Sequence, residues 1–196
     1  MDISACRFRD VALGWLSPVR ETHPAHYEPA GLGWLRTFGG GLVATCGLDQ
    51  FGAPSRDGDE DLGLHGRISN LPARGVGYRA YWEGEAYRLE VFGEVRQARL
   101  FGENLVLRRT ISAELGSSMI RLKDVVSNEG FSPHPHMILY HFNIGFPMLT
   151  EDAQLHIDAD LSEPRDAAAA AGFADWSRFQ APTPGYSEQV FHHKPV

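Results

Sequence analysis

Residues 134–147, HPHMILYHFNIGFP, set three histidines and an asparagine around an apolar run. An ordinary buried strand is built from Val, Ile, Leu and aromatic residues, so imidazoles here need a reason. Side chains alternate along a strand. Met137, Leu139, His141 and Asn143 therefore share one face of MILYHFNI. Ile138, Tyr140, Phe142 and Ile144 share the other, which reads as a core face. The first face turns from apolar to polar along the strand, as the floor of a half-open cleft would. A histidine titrates near neutrality and an amide both donates and accepts, so the pair can handle a polar ligand. An edge facing water would carry the same residues.

Other segments offer partners. In LGLHGRISNLP, His65 and Arg67 flank Gly66, which lets the backbone turn sharply or approach a neighbour closely. Arg67 brings a planar fork suited to hydroxyls, carboxylates or phosphates. WLRTFGGGLVATCG contains three consecutive glycines, but no Lys-Ser/Thr follows, so close backbone packing is expected rather than a nucleotide loop. Trp34 and Arg36 precede them and could reach a cleft. In PGYSEQVFHH, Glu188 and His192 would share a face if the strand runs through both, and a carboxylate inside a strand is costly unless paired or used. His134, His136 and His141 also suggest a metal-dependent site of the cupin kind. Against it, Pro135 distorts the pair, and His141 falls on the opposite parity from His136. No G-x-S-x-G elbow supports a hydrolase triad.

The elements that must position these residues read as all-β. Residues 76–128 form a meander. YRAYWEGEAYRLEVFGEV has two aromatic-rich runs about Gly84, and NLVLRRTISAEL alternates with period two. GSS at 116–118 turns the chain into MIRLKDVVSN. Residues 17–36 and 48–75 read as loops, and EPRDAAAAAGFADWSRF is the single helix candidate. The expectation is one domain over 1–196, an antiparallel β-sandwich with one short helix.

Bulk composition excludes several classes. The 196 residues are 43% hydrophobic, enough for a core. A net charge of −7 argues against nucleic-acid binding. No apolar run is long enough for a membrane span, and the N-terminus shows no basic segment followed by an apolar one, so a cytoplasmic location is expected. Cys6 and Cys46 read as free thiols, with Cys46 a candidate reactive group. SRDGDEDLG fits no calcium loop. No metal or other cofactor is called for.

Three stretches taken together carry a resemblance. RTFGGGLVATCGLDQFG…LGLHGR is similar to the Arg-Gly-Gly…His-Gly-Phe-Ala-Arg pattern of hexose-phosphate epimerase relatives. LYHFNIGFP resembles the Asn-His-x-Tyr-Phe-Asn-Leu strand of aldose 1-epimerases, and SEQVFHH resembles the later segment with an acidic sugar-binding residue. The chain thus resembles the galactose mutarotase-like superfamily, and most closely its uncharacterised DUF4432 branch. The resemblance implies a large β-sandwich with a sugar cleft on a concave sheet. It implies an isomerase that opens and recloses a cyclic sugar, with His141 as the acid and His65 near the anomeric centre. Arg67 would hold a hydroxyl or acidic substituent, and Arg36 and Glu188 would orient the sugar, with Asn143 and Trp34 completing the binding set. The ligand would be a small-molecule carbohydrate. The family is longer, and its glutamate base lies near the C-terminus. No residue here matches that base, and the first strands and the C-terminal part are expected to be missing. A carbohydrate-binding protein without catalysis is therefore the alternative, and unsealed sheet edges suggest a homo-oligomer.

Overall fold

The structure is a computed structural model that describes residues 1–196, with every side chain except that of Leu161. The strands in chain order are Arg7–Phe8 (β1), Val11–Ala12 (β2), Trp15–Leu16 (β3), Gly40–Gly41 (β4), Val43–Leu48 (β5), Ser55–Asp57 (β6), Glu60–Leu62 (β7), Ala73–Glu83 (β8), Ala86–Ala98 (β9), Asn104–Glu114 (β10), Ile120–Asn128 (β11), Met137–Phe142 (β12), Ala159–Pro164 (β13) and Phe191–Pro195 (β14). The Ala-rich run forms one short helix, Ala167–Gly172 (α1), capped by the Asp166 carboxylate on the Ala169 amide.

The expected meander is an antiparallel sheet in the order β11-β10-β9-β8. Its first hairpin turns at Gly84–Glu85, where Glu83 pairs with Ala86. Beside it lies the antiparallel pair β12-β5. The 48–75 segment is mostly irregular, as expected, but the acidic stretch folds as the small β6–β7 hairpin.

One face of β10 carries Leu105, Leu107, Arg109, Ile111 and Ala113. Its first part packs against β5: Leu48, Ile68, Val95, Leu105 and Leu107 form the core cluster, with Ile138 of β12 against it. The next position on that face is Arg109, only 1% exposed. Its Nε and Nη2 donate to both oxygens of Asp124 on β11 at 2.8 and 2.6 Å. Nη1 donates to Asp2 Oδ1, Thr45 Oγ1 of β5 and the Met1 carbonyl, each at 2.8 Å. The Tyr140 hydroxyl of β12 donates to Asp124 at 2.8 Å. Burial, followed by that bond to a carboxylate, pushes the Tyr140 phenol up to about 12. One guanidinium thus ties the meander, the β5–β12 pair and the N-terminus together.

Beyond Arg109 the same face is apolar but open. Ile111 aligns with Val91 and Leu122, and Val91 with Tyr78; Ala113 aligns with Leu89 and Ile120. Tyr78 is 84% and Trp82 68% exposed. This corrects the expected core face of β12: Ile138 is packed, whereas Phe142 is 64% exposed and Tyr140 and Ile144 are also exposed. The apolar residues are on the expected side, but among the described residues no second layer covers them. Strands β8 and β11 each have a single neighbour within the sheet.

Removing the Arg109 side chain would leave Asp124 buried without its cation. Arg109→Ala is expected to cost about 3–5 kcal/mol in urea unfolding. Arg56→Ala, whose ion pairs are long and exposed, should stay within about 0.5 kcal/mol.

Candidate functional site

The site is built on β5. In the antiparallel ladder His141 of β12 lies opposite Ala44, so both side chains point to the same face. The segment around His65 lies against the end of β5 through a parallel bridge between Gly47 and Gly66, with the Gly47 amide donating to the His65 carbonyl at 3.0 Å. Gly66 has φ +70, and a Cβ there would sit 2.5 Å from the Gly47 carbonyl oxygen and 2.7 Å from that of Gln50. Only glycine permits this approach. It brings the rings of His65 and His141 to 5.6 Å between centroids, edge to face at 81°.

Two aromatic rings back the pair. Trp34, 3% exposed, stacks on Phe38 at 4.3 Å and meets His65 at 4.9 Å; Phe38 meets His141 edge-on at 5.5 Å. The Trp34 indole N–H donates to Ser69 Oγ at 3.1 Å, which satisfies its polar atom. Trp34 and Phe38 also wall a cavity of about 280 Å³ with Arg20, Gly40, Ala44 and Asn70. Phe38 is a site residue that sequence reading missed. It sits next to the glycine run, where spacing alone gives an aromatic no direction.

Both imidazoles are half-buried. His65 Nδ1 accepts from the Gly52 amide at 3.2 Å. His141 Nδ1 is shielded and has no protein partner among the described residues. Burial, and secondarily the nearby His141, lowers the His65 pKa, while the Glu188 carboxylate acts in the opposite direction.

The other predicted site residues are dispersed in role. Arg67 donates to the Glu103 carboxylate and to the Ala98 carbonyl, so its fork is engaged within the protein. Arg36 is exposed and pairs with Glu28 at 3.3 Å. Asn143 is buried; its amide donates to the His141 carbonyl at 3.1 Å, holding the strand end rather than facing a ligand. Glu188 does not lie in a strand, since β14 begins at Phe191, and the shared face with His192 does not form. It is 75% exposed, bound to Arg165 at 3.1 Å, yet close enough for its charge to act on His65. The glycine run packs backbone on backbone: a Cβ on Gly41 would lie 2.8 Å from the Ile3 carbonyl oxygen. Cys46 is fully buried and its thiol is pushed up to about 12, chiefly by burial and then by Asp2, so it is not the reactive group considered above. His136 Nδ1 lies 3.0 Å from the Leu48 carbonyl oxygen. Among the described residues no three His, Cys, Asp or Glu side chains converge as metal ligands, which removes support for the cupin-like reading. No helix among the described residues is long and apolar enough to cross a membrane.

The model of the domain of unknown function DUF4432 matches residues 1–196. The chain belongs to the DUF4432 family. No curated protein matches it. A crystal structure described as "a putative aldose 1-epimerase" from Klebsiella pneumoniae subsp. pneumoniae MGH 78578 is similar to this DUF4432 chain. The TM-score is 0.93 at 29% identity, over 100% of this chain and 52% of the other. The DUF4432 chain therefore has a galactose mutarotase-like fold and spans about half the length of that relative.

The lowered pKa of His65 carries a sign. An unfolded His65 titrates near 6.5. Below that value the unfolded chain holds more protons than the folded one, so stability is whole above it and is lost as pH falls through the folded value. Between about pH 7.5 and about pH 5, the urea midpoint of the native protein should fall further than that of His65→Gln. Parallel declines would refute the account.

Proposed function

We propose that this DUF4432 chain binds a cyclic sugar at the His65–His141 pair and carries the acid half of an aldose 1-epimerase-type mutarotation. The observation behind this reading is the meeting of two half-buried imidazoles 76 positions apart in sequence, at 5.6 Å, backed by Trp34 and Phe38. The likeness to the Klebsiella protein supports the same reaction class.

In that reaction the His141 imidazolium gives its proton to the ring oxygen. The bond between C1 and that oxygen breaks, and its electron pair goes to the oxygen. The anomeric hydroxyl loses its proton to a base, and C1 becomes an aldehyde. Rotation about C1–C2 and the reverse steps deliver the other anomer. In this reading the chain supplies the acid alone, and orientation of the sugar falls to Glu188, whose charge is felt at His65. Its high exposure and its ion pair with Arg165 favour a second reading, a sugar-binding protein without catalysis. The location that fits either reading is the cytoplasm, with no nucleic acid or membrane as partner.

Saturation-transfer NMR across a panel of aldoses separates the two. Catalysed anomer exchange that falls about 10²–10⁴-fold in His141→Ala, with folding retained by circular dichroism, supports the enzyme. Sugar binding without acceleration supports the binding protein. Neither binding nor acceleration would overturn both.

A further inference from the structure

We propose that the Gly52 main-chain amide is a positioning group that fixes His65 as the Nε2–H tautomer, making His65 a standing hydrogen-bond donor and leaving proton transfer to His141. The inference rests on the sugar reading only for what the donor meets.

Gly52 holds His65 twice. The His65 amide donates to the Gly52 carbonyl at 2.9 Å, and the Gly52 amide donates to His65 Nδ1 at 3.2 Å. A ring nitrogen that accepts from an N–H carries no proton, so in the neutral imidazole the proton resides on Nε2. A ring carbon could not accept from that amide, which also fixes which way the ring faces. The segment is built for this contact at some conformational cost. His65 itself has φ +59, uncommon for a residue with a Cβ, and Gly52 has φ +94. A Cβ at position 52 would meet nothing within 4 Å, so glycine is required there by backbone conformation, not by space.

The surroundings reinforce the neutral form. Protonating His65 would need a proton on Nδ1, which would then oppose the Gly52 N–H. The groups acting on the ring are the His141 imidazole, which opposes a positive charge, and the Glu188 carboxylate, which favours one. His141 has no such clamp. Its Nδ1 is shielded and unpartnered, and no protein hydrogen bond assigns its proton. The pair is therefore asymmetric: the protein assigns the proton of one imidazole and leaves that of the other unassigned. In a ring-opening reaction His65 would offer its Nε2–H to a sugar oxygen throughout, and His141 would exchange protons.

The tautomer is measurable without any ligand. The full chain labelled with ¹⁵N-histidine is examined by long-range ¹H–¹⁵N correlation, with the His65 signals assigned by their loss in His65→Gln. A bare, imine-type Nδ1 and a protonated Nε2 are expected, persisting to lower pH than in a free histidine. An averaged mixture of tautomers, or a proton on Nδ1, would overturn the proposal. A second test separates the two nitrogens. The Gln amide can replace the Nε2 donor, whereas the Asn carbonyl replaces only the Nδ1 acceptor. With D-galactose, D-glucose and D-glucuronate as probes, His65→Gln should keep affinity within a few-fold for any that binds, and His65→Asn should lose tenfold or more. Equal affinities would overturn the donor role. If none of the three binds the unmodified protein while the spectrum shows the Nε2–H form, the sugar reading fails and the Gly52 clamp stands.

Discussion

Arg109 is where this fold is held together and where it is most exposed to failure. A guanidinium has five N–H donors and no way to shed its charge, so its burial demands acceptors on every side. Here they come from β11, β5 and the N-terminal residues, with Tyr140 of β12 completing the carboxylate of Asp124. Hydrocarbon at this position would pack the same layers together without telling them how to align. The planar fork onto Asp124, by contrast, accepts one register of meander against β5–β12. That register carries His141, which directly follows Thr45's ladder partner Tyr140 and lies opposite Ala44.

From that anchor the site follows by short steps. Once β5 is fixed, Gly66 can lie on Gly47 because neither brings a side chain to the contact, and His65 is delivered beside His141. Trp34 and Phe38 then fill the space behind both rings. None of these contacts is strong alone. Their effect is to leave the two imidazoles little freedom of orientation, which a group that must meet a substrate atom requires.

Much of this was legible in the residues. Period two in NLVLRRTISAEL gave β10, and the aromatic runs about Gly84 gave the hairpin, because alternation is a local property. His141 and His65 stood out as polar groups in apolar company, and the glycine beside His65 announced a close approach. What could not be read was the engagement of each charge. Arg67 and Arg36 look free in one dimension, yet Glu103 and Glu28, respectively 36 and 8 positions away, take them up. Val190 and Phe191 give the residues after Glu188 a strand-like pattern, but β14 starts only at Phe191. Phe38 and Gly52 were invisible for the same reason: their roles exist only across long sequence separations.

The bare apolar stretch over β8 to β11 also alters how the chain as a whole melts. Tyr78, Trp82, Val91 and Ile120 are wetted in the native state already, so unfolding newly hydrates less hydrocarbon than a chain of 196 residues would ordinarily expose. Heat-capacity change and denaturant sensitivity both scale with newly hydrated surface. The DUF4432 chain therefore has a flatter stability curve than its length implies, and a smaller hydrophobic reserve against which every polar contact in its interior must count.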